Sequence, residues 1–310
     1  MTLQNLPRFV VLGQGKSGTS LIYKVLSAHP SIGLSQPKEL HYFNRDFETR
    51  SLDSYAAHFA ESHDKDIIGE VSPSYLQPQA VDRIARTLGR DIKVIFVLRR
   101  PIERSYSRYL QNICARETGR QFHAEVPGMS RLLSEISDAI TRCYDLFGQS
   151  NVLPLFYETD IAVPQPGFVS RILRFLDLPE TDHEQAFLDK NPVNAGVMPH
   201  YIYAADESFE LRSGNQLYGI PANTLVFCAQ SRNSRIYQDP SAEDVAAALA
   251  RQSRWTTKIT KPEYRRWQEE QVLPFADRFE TEFGFDLSHW RCAPRRISYD
   301  SAPPPRALRA

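Results

Sequence analysis

The chain has 310 residues, 42% hydrophobic and 24% charged, with 37 Lys+Arg against 37 Asp+Glu and a formal net charge of zero. That length can bury a full core, as one large domain or two small ones. The balanced charge excludes a global attraction to nucleic acid or to an acidic membrane surface, so any anion site must be local.

Four cysteines, Cys114, Cys143, Cys228 and Cys292, are scattered without a metal-ligand spacing. They read as reduced thiols. The N-terminus has no basic stretch followed by an apolar one, and no apolar run approaches membrane-spanning length. A soluble cytoplasmic protein is the expectation.

The first elements lie in residues 9–31, FVVLGQGKSGTSLIYKVLSAHPS. The apolar run at 9–12 predicts a buried strand. Gly13 to Ser20 is a small, flexible loop with one cation, Lys16. Leu21, Ile22, Val25 and Leu26 have helical spacing, ended by His29-Pro30. Strand, glycine loop and helix build a phosphate cradle, because loop amides and the helix N-terminus point at an anion. The loop departs from the Walker pattern: Thr19 and Ser20 follow Gly18, where Lys-Ser/Thr would be required. The alternative is an ordinary tight turn with Ser17 or Thr19 capping the helix.

Short strands are predicted at 31–34 and 67–70, with a short helix at 55–59 between them. A turn at 71–75 leads into a helix over 78–88. A strong buried strand at 92–98 ends in Arg99-Arg100-Pro101, followed by a helix from 102 to about 116. Another helix covers 131–147. The strand at 152–157 contains Pro154, which argues for an edge or end position. A helix follows at 168–176. Residues 181–223 are polar and only weakly periodic. Residues 224–228 read as a strand or part of a helix, and 241–251 and 263–283 as helices. Residues 294–310, proline- and arginine-rich, read as a disordered tail. Alternating strands and helices argue for an α/β domain with a parallel sheet, whose ligands bind beyond the strands' carboxyl ends.

In residues 94–109, VIFVLRRPIERSYSRY, a strand delivers Arg99 and Arg100 to its end, and the helix carries Arg104, Ser107 and Arg108 at neighbouring turns. A P-loop NTPase would end such a strand in a metal-holding acid. Cations there point to a second phosphate group, or else to a solvated arginine-rich helix start.

Together, Gly15-Lys16-Ser17-Gly18-Thr19-Ser20 and Leu98-Arg99-Arg100-Pro101…Arg104-x-x-Ser107-x-Tyr109 resemble the two phosphate motifs of the sulfotransferases that use 3′-phosphoadenosine 5′-phosphosulfate (PAPS). Lys38-Glu39-Leu40-His41-Tyr42-Phe43 resembles the K-E-x-H-F-F segment of the carbohydrate-type branch. Residues 69–75, GEVSPSY, are similar to its G-E-K-T/S-P-x-Y turn, and Asp286–Trp290 to a bacterial C-terminal ending. The likeness covers roughly residues 8–180, is patchy from 181 to 240 and returns near the end. Gln14-Gly15 replaces a usual proline, and Val71 stands where many relatives have lysine. Residues 231–237 offer a counterpart, through Arg235, to the branch's K-G-R-x-Y nucleotide loop; the alternative is an exposed basic loop.

The resemblance implies a P-loop-like three-layer α/β fold, a central parallel sheet flanked by helices, as a single domain over 1–293. It implies sulfuryl transfer from PAPS to an acceptor hydroxyl or amine, with no metal required. Lys16 would neutralise the leaving oxygen. Gly15, Lys16, Ser17, Gly18, Thr19 and Ser20 would hold the 5′-phosphate, and Arg99 and Ser107 the 3′-phosphate. Glu39 is the first candidate for the general base and His41 the second. Glu70 is a third, or else orients Lys16 or Lys38. The acceptor is expected to be a small molecule, a glycan or a lipid-linked sugar, reached through loops at 111–130 and 181–220. Tyr201, Tyr203, Phe209 and Tyr218 would either stack on a sugar or belong to the core. Two rival readings are a P-loop small-molecule kinase, with Glu70 as its metal-holding acid, and a non-catalytic nucleotide-binding relative.

Overall fold

The computed structural model describes residues 6–117, 119, 121–162, 167–180, 199–213, 216–229, 234–255 and 259–292. The expected tail at 294–310 lies outside them. The chain divides into two compact units, one formed by Met1–Arg104, Ser130–Val193 and Val272–Cys292, the other by Ser105–Met129, Asn194–Gln271 and Ala293–Ala310.

The first unit holds the strands β1 (Phe9–Gly13), β2 (Ile32–Leu34), β3 (Ile67–Val71), β4 (Lys93–Leu98) and β5 (Val152–Phe156). They form one sheet in the order β2-β3-β1-β4-β5, every pair parallel. Phe9, Val10, Val11 and Leu12 are wholly buried, because the central strand is covered on both faces. On one face Phe9, Val11, Ile95, Val97 and Leu155 pack with Ile22, Val25 and Leu26 of α1 (Thr19–Ala28) and with Ile172 and Leu173 of a helix at Phe168–Phe175. On the other, Phe96 meets Tyr144 edge-on at 6.4 Å, from a helix at Met129–Phe147. Helices thus flank the parallel sheet on both sides, as expected. Pro154 sits on the edge strand β5, where its missing N–H costs no ladder bond.

Gly69 is required by this sheet. It lies beside Phe9 on the neighbouring strand, and a Cβ added to it would stand 2.1 Å from the Phe9 ring.

The remaining α-helices among the described residues, in order, are α2 (Leu52–Ala56), α3 (Pro78–Leu88), α4 (Pro101–Arg116), α5 (Met129–Phe147), α6 (Phe168–Phe175), α7 (Ala242–Arg254), α8 (Lys261–Trp267), α9 (Leu273–Phe283) and α10 (Ser288–Arg291). The continuous helix predicted over 263–283 is broken. A π-helical turn at Gln268–Val272 separates α8 from α9, and Pro274 falls in the first turn of α9, where its ring is tolerated.

In the second unit the segment 224–228, expected as a strand or part of a helix, is a strand, and the other strands were not expected. β6 (His200–Ala204), β9 (Thr224–Cys228) and β10 (Arg235–Gln238) form an antiparallel sheet, and β7 (Phe209–Ser213) pairs with β8 (Gln216–Ile220) as a hairpin. Tyr201 and Phe227 pack on Trp255, which follows α7. Tyr201 is therefore a core residue of this unit, 6% exposed. Tyr203 is half-buried and donates to Asn223 at 2.9 Å, and Tyr218 is exposed. The side chain of Phe209 lies outside the described residues.

Candidate active site

Strand order places the sequence motifs. β1 is flanked by β3 and β4, so the segments leaving the carboxyl ends of three adjacent parallel strands are the glycine loop, the turn at 72–75, and the start of α4.

The loop is braced from inside. Ser17 is fully buried, and both its hydroxyl (2.6 Å) and its amide (3.1 Å) donate to the Gln14 carbonyl. Its side chain therefore shapes the turn. Gly18 begins α1 at φ 94°, and no side chain caps the helix, which removes the capping alternative for Ser17 and Thr19. The first amides of the helix are left without intrahelical acceptors, an arrangement that suits an anion. Gly18 also admits a close neighbour: a Cβ there would lie 2.9 Å from both Tyr157 and Ile161. Gly15, Lys16 and Ser20 are half-buried, and Thr19 is buried.

Two arginines close on the loop. Arg99 donates to the Lys16 carbonyl at 2.7 Å and Arg104 to the Gly15 carbonyl at 3.2 Å. The Arg99 guanidinium lies 4.2 Å from the Tyr157 ring centre, and its Nε is buried without a protein partner. Such a donor suits an incoming oxyanion. Tyr157 escaped sequence reasoning. The available signal was its place directly after β5, the strand next to the one that delivers Arg99.

Arg100 turns the other way. It is 6% exposed, pairs with Glu103 at 2.6 Å and donates to the His289 carbonyl, while its amide is accepted by Glu158 at 2.9 Å. It anchors the start of α4 to the C-terminal segment 286–290. Burial raises the Glu103 carboxyl above its usual range, against the lowering pull of Arg100. Ser107 is half-buried on α4, within the second unit. Arg235 lies on the exposed strand β10 and is paired with Glu117, which also accepts from the Tyr237 hydroxyl at 2.7 Å.

Glu39 and His41 are half-buried. Glu39 is paired with Lys38, and His41 Nδ1 lies 3.1 Å from the Ser74 hydroxyl, in the turn that follows β3. Lys16, Glu39 and His41 adopt φ of 76°, 65° and 59°, and they are three of the seven non-glycine residues with positive φ among the described residues. Left-handed backbone at such residues costs about 1–3 kcal/mol each and persists only where the surroundings impose it.

Glu70 is wholly buried and accepts from the Tyr55 hydroxyl (2.6 Å) and the Ser72 hydroxyl (2.5 Å). Burial pushes its carboxyl upward while these hydrogen bonds pull it down. Its surroundings are tyrosine and serine hydroxyls, and Lys38 is engaged by Glu39 instead. With no exposed surface, the Glu70 carboxylate is engaged by Tyr55 and Ser72 and is not presented at the surface as Glu39 and His41 are. Val71 is fully buried among the apolar residues that face α1 and α6.

Comparison with known proteins fits this geometry. The chain is 34% identical over 142 residues to the membrane-associated sulfotransferase kil1 of Dictyostelium discoideum, covering 44% of this chain and 30% of that protein. It is 29% identical over 231 residues to the bifunctional heparan sulfate N-deacetylase/N-sulfotransferase 3 of Homo sapiens, covering 69% of this chain and 25% of that protein. The chain thus spans less than a third of either relative's length. A sulfotransferase from Alicyclobacillus acidocaldarius has the same fold, with a TM-score of 0.56 at 18% identity over 93% of this chain and 99% of that one. The sulfotransferase domain model matches residues 6–191, more than half of the chain. On that match, laid over the parallel sheet and its braced glycine loop, the chain belongs to the sulfotransferase domain family.

Proposed function

We propose that this protein transfers a sulfuryl group from PAPS to a hydroxyl or amine of a sugar-bearing acceptor. The observation that carries the reading is the junction of Arg99 with the glycine loop. One arginine fixes the Lys16 carbonyl and keeps a buried, unpartnered Nε, beside helix amides that lack a side-chain cap. That donor set fits a nucleotide carrying phosphate groups.

In the proposed reaction the acceptor oxygen or nitrogen attacks sulfur in line as the bond from sulfur to the bridging phosphate oxygen breaks. Lys16 balances the charge that grows on that oxygen, an electrostatic contribution made before the reaction starts. The amides of Thr19 and Ser20 hold the 5′-phosphate, and Arg99 takes the 3′-phosphate. Glu39 accepts the acceptor's proton, with Lys38 fixing its carboxylate, and His41 is the second candidate for that task. The heparan sulfate sulfotransferase among the relatives supports a glycan acceptor.

The test is incubation of the protein with PAPS labelled with radioactive sulfur and an extract of the source organism. Label should pass to a carbohydrate-containing product, and Lys16→Ala should slow the transfer by about 10²–10³. Transfer by Lys16→Ala at the wild-type rate would overturn the mechanism. Nucleotide binding without transfer to anything in the extract, unaffected by Glu39→Gln, would favour a non-catalytic relative.

A further inference from the structure

Glu70 is the one carboxylate of the first unit with no exposed surface among the described residues, and the proposed proton transfer does not use it. Its two hydrogen-bond donors lead toward the base candidates. Tyr55 gives its hydroxyl to Glu70 and stacks its ring on Tyr42, with centroids 4.5 Å apart and planes at 21°. It also meets Phe43 edge-on at 5.2 Å. Tyr75 has its ring against Phe43 at 5.4 Å and its hydroxyl side toward the same carboxylate, as does the amide of Leu40. Ser72, the other donor, begins the turn whose Ser74 meets His41. The Phe43 carbonyl is taken by the buried Arg83 at 3.0 Å.

The strained segment is therefore held from both ends. Glu39 and His41 are left-handed, Leu40 between them faces Glu70, and Tyr42 and Phe43 after them are clamped by Tyr55 and Tyr75. The geometry points to Glu70 as a positioning residue: its buried carboxylate orients Tyr55 and Ser72 so that residues 38–43 display Glu39 and His41 at a fixed angle. An apolar residue would fill the volume but supply no acceptor for these hydroxyls, and a buried carboxylate earns retention only through such partners. The inference rests on the assignment of Glu39 or His41 as the acceptor-side base.

The experiment compares wild type with Glu70→Gln and Tyr55→Phe by amide hydrogen exchange of residues 38–43 and by calorimetric binding of 3′-phosphoadenosine 5′-phosphate. Tyr55→Phe keeps the ring and removes one donor, so it serves if Glu70→Gln fails to fold. Exchange of the 38–43 amides should rise about tenfold or more in each folded variant, with nucleotide affinity within about twofold of wild type. On the acceptor that labelling identifies, kcat should fall while KM for PAPS stays within about twofold, and the pH profile should keep its limbs. Unchanged exchange at 38–43 in a folded variant would overturn the inference, as would loss or displacement of the acidic limb, which would make Glu70 the base. Failure of the wild type to bind the nucleotide would instead sink the functional reading and leave the exchange result to stand by itself.

Discussion

Lys16 combines a cation with a left-handed backbone whose carbonyl Arg99 holds at 2.7 Å. Removing the side chain should leave the loop intact, since Ser17 and Arg99 brace it through main-chain atoms. Lys16→Ala is expected to lower kcat by about 10²–10³, with an unchanged melting temperature, in the range seen when one preorganised charge-stabilising donor is removed. Arg99 does two things, and its substitution separates them. It braces the loop and stacks on Tyr157, and it keeps Nε for an oxyanion. If the 3′-phosphate is that oxyanion, Arg99→Ala should weaken 3′-phosphoadenosine 5′-phosphate far more than adenosine 5′-phosphate in a titration. Equal losses would confine Arg99 to bracing. Both residues were legible in the sequence because they end a strand or fill a glycine loop. The bracing was not, since a hydrogen bond from Arg99 to a carbonyl 83 residues away leaves no local pattern. Ser17 shows the same limit: a serine in a phosphate loop reads as a ligand, while burial turns its hydroxyl inward to Gln14.

At the scale of elements, Gly18 and Gly69 are set by contacts across strands. Gly18→Ala adds a Cβ 2.9 Å from Tyr157 and Ile161 at a φ of 94°. It should lower the melting temperature and also nucleotide affinity, because it pushes the loop off the residue that underlies Arg99. Gly69→Ala should lower stability without a specific effect on binding, by about 1–3 kcal/mol or more for overpacking against Phe9, measured by urea unfolding. Helix α8 gives a pH prediction. Glu263 closes a capping box with Thr260 and meets His123 at 3.0 Å, and these partners hold its carboxyl down at about 2, against an ordinary value of 4.5. A depressed folded value means the contribution is complete above the unfolded value and is lost as pH falls from about 4.5 toward 2. Melting curves should therefore show Glu263→Gln less stable than wild type near neutrality, with the gap closing on acidification. A gap constant down to low pH would show that the charge of Glu263 plays no part. The strands of the second unit were hard to read for a physical reason: β10 is exposed along its length and alternates weakly, so burial leaves little imprint on its composition. The parallel strands of the first unit, buried on both faces, announce themselves as apolar runs.

For the whole molecule, the order of strands explains why motifs far apart in sequence belong to one chemistry. β3, β1 and β4 are neighbours, and each carries one motif at its carboxyl end. The parallel sheet was expected from the alternation of strands and helices, while the strand order was not legible; nor was the antiparallel second unit, because its pairing partners lie across segments with no periodicity. The same arrangement separates the sulfotransferase reading from a kinase. A kinase needs a carboxylate free to hold a metal beside the loop, and the carboxylate at the end of β3 is Glu70, wholly buried and engaged by Tyr55 and Ser72. A ligand that binds only the folded state stabilises it by about 2.7 kcal/mol at a hundred times its dissociation constant. Thermal melts at equal ligand concentrations should thus show a larger upward shift with 3′-phosphoadenosine 5′-phosphate than with Mg²⁺–ATP, and Arg99→Ala should erase most of the difference. A larger shift with Mg²⁺–ATP would require a metal-holding acid beside the loop, and with Glu70 buried that acid would have to come from another element.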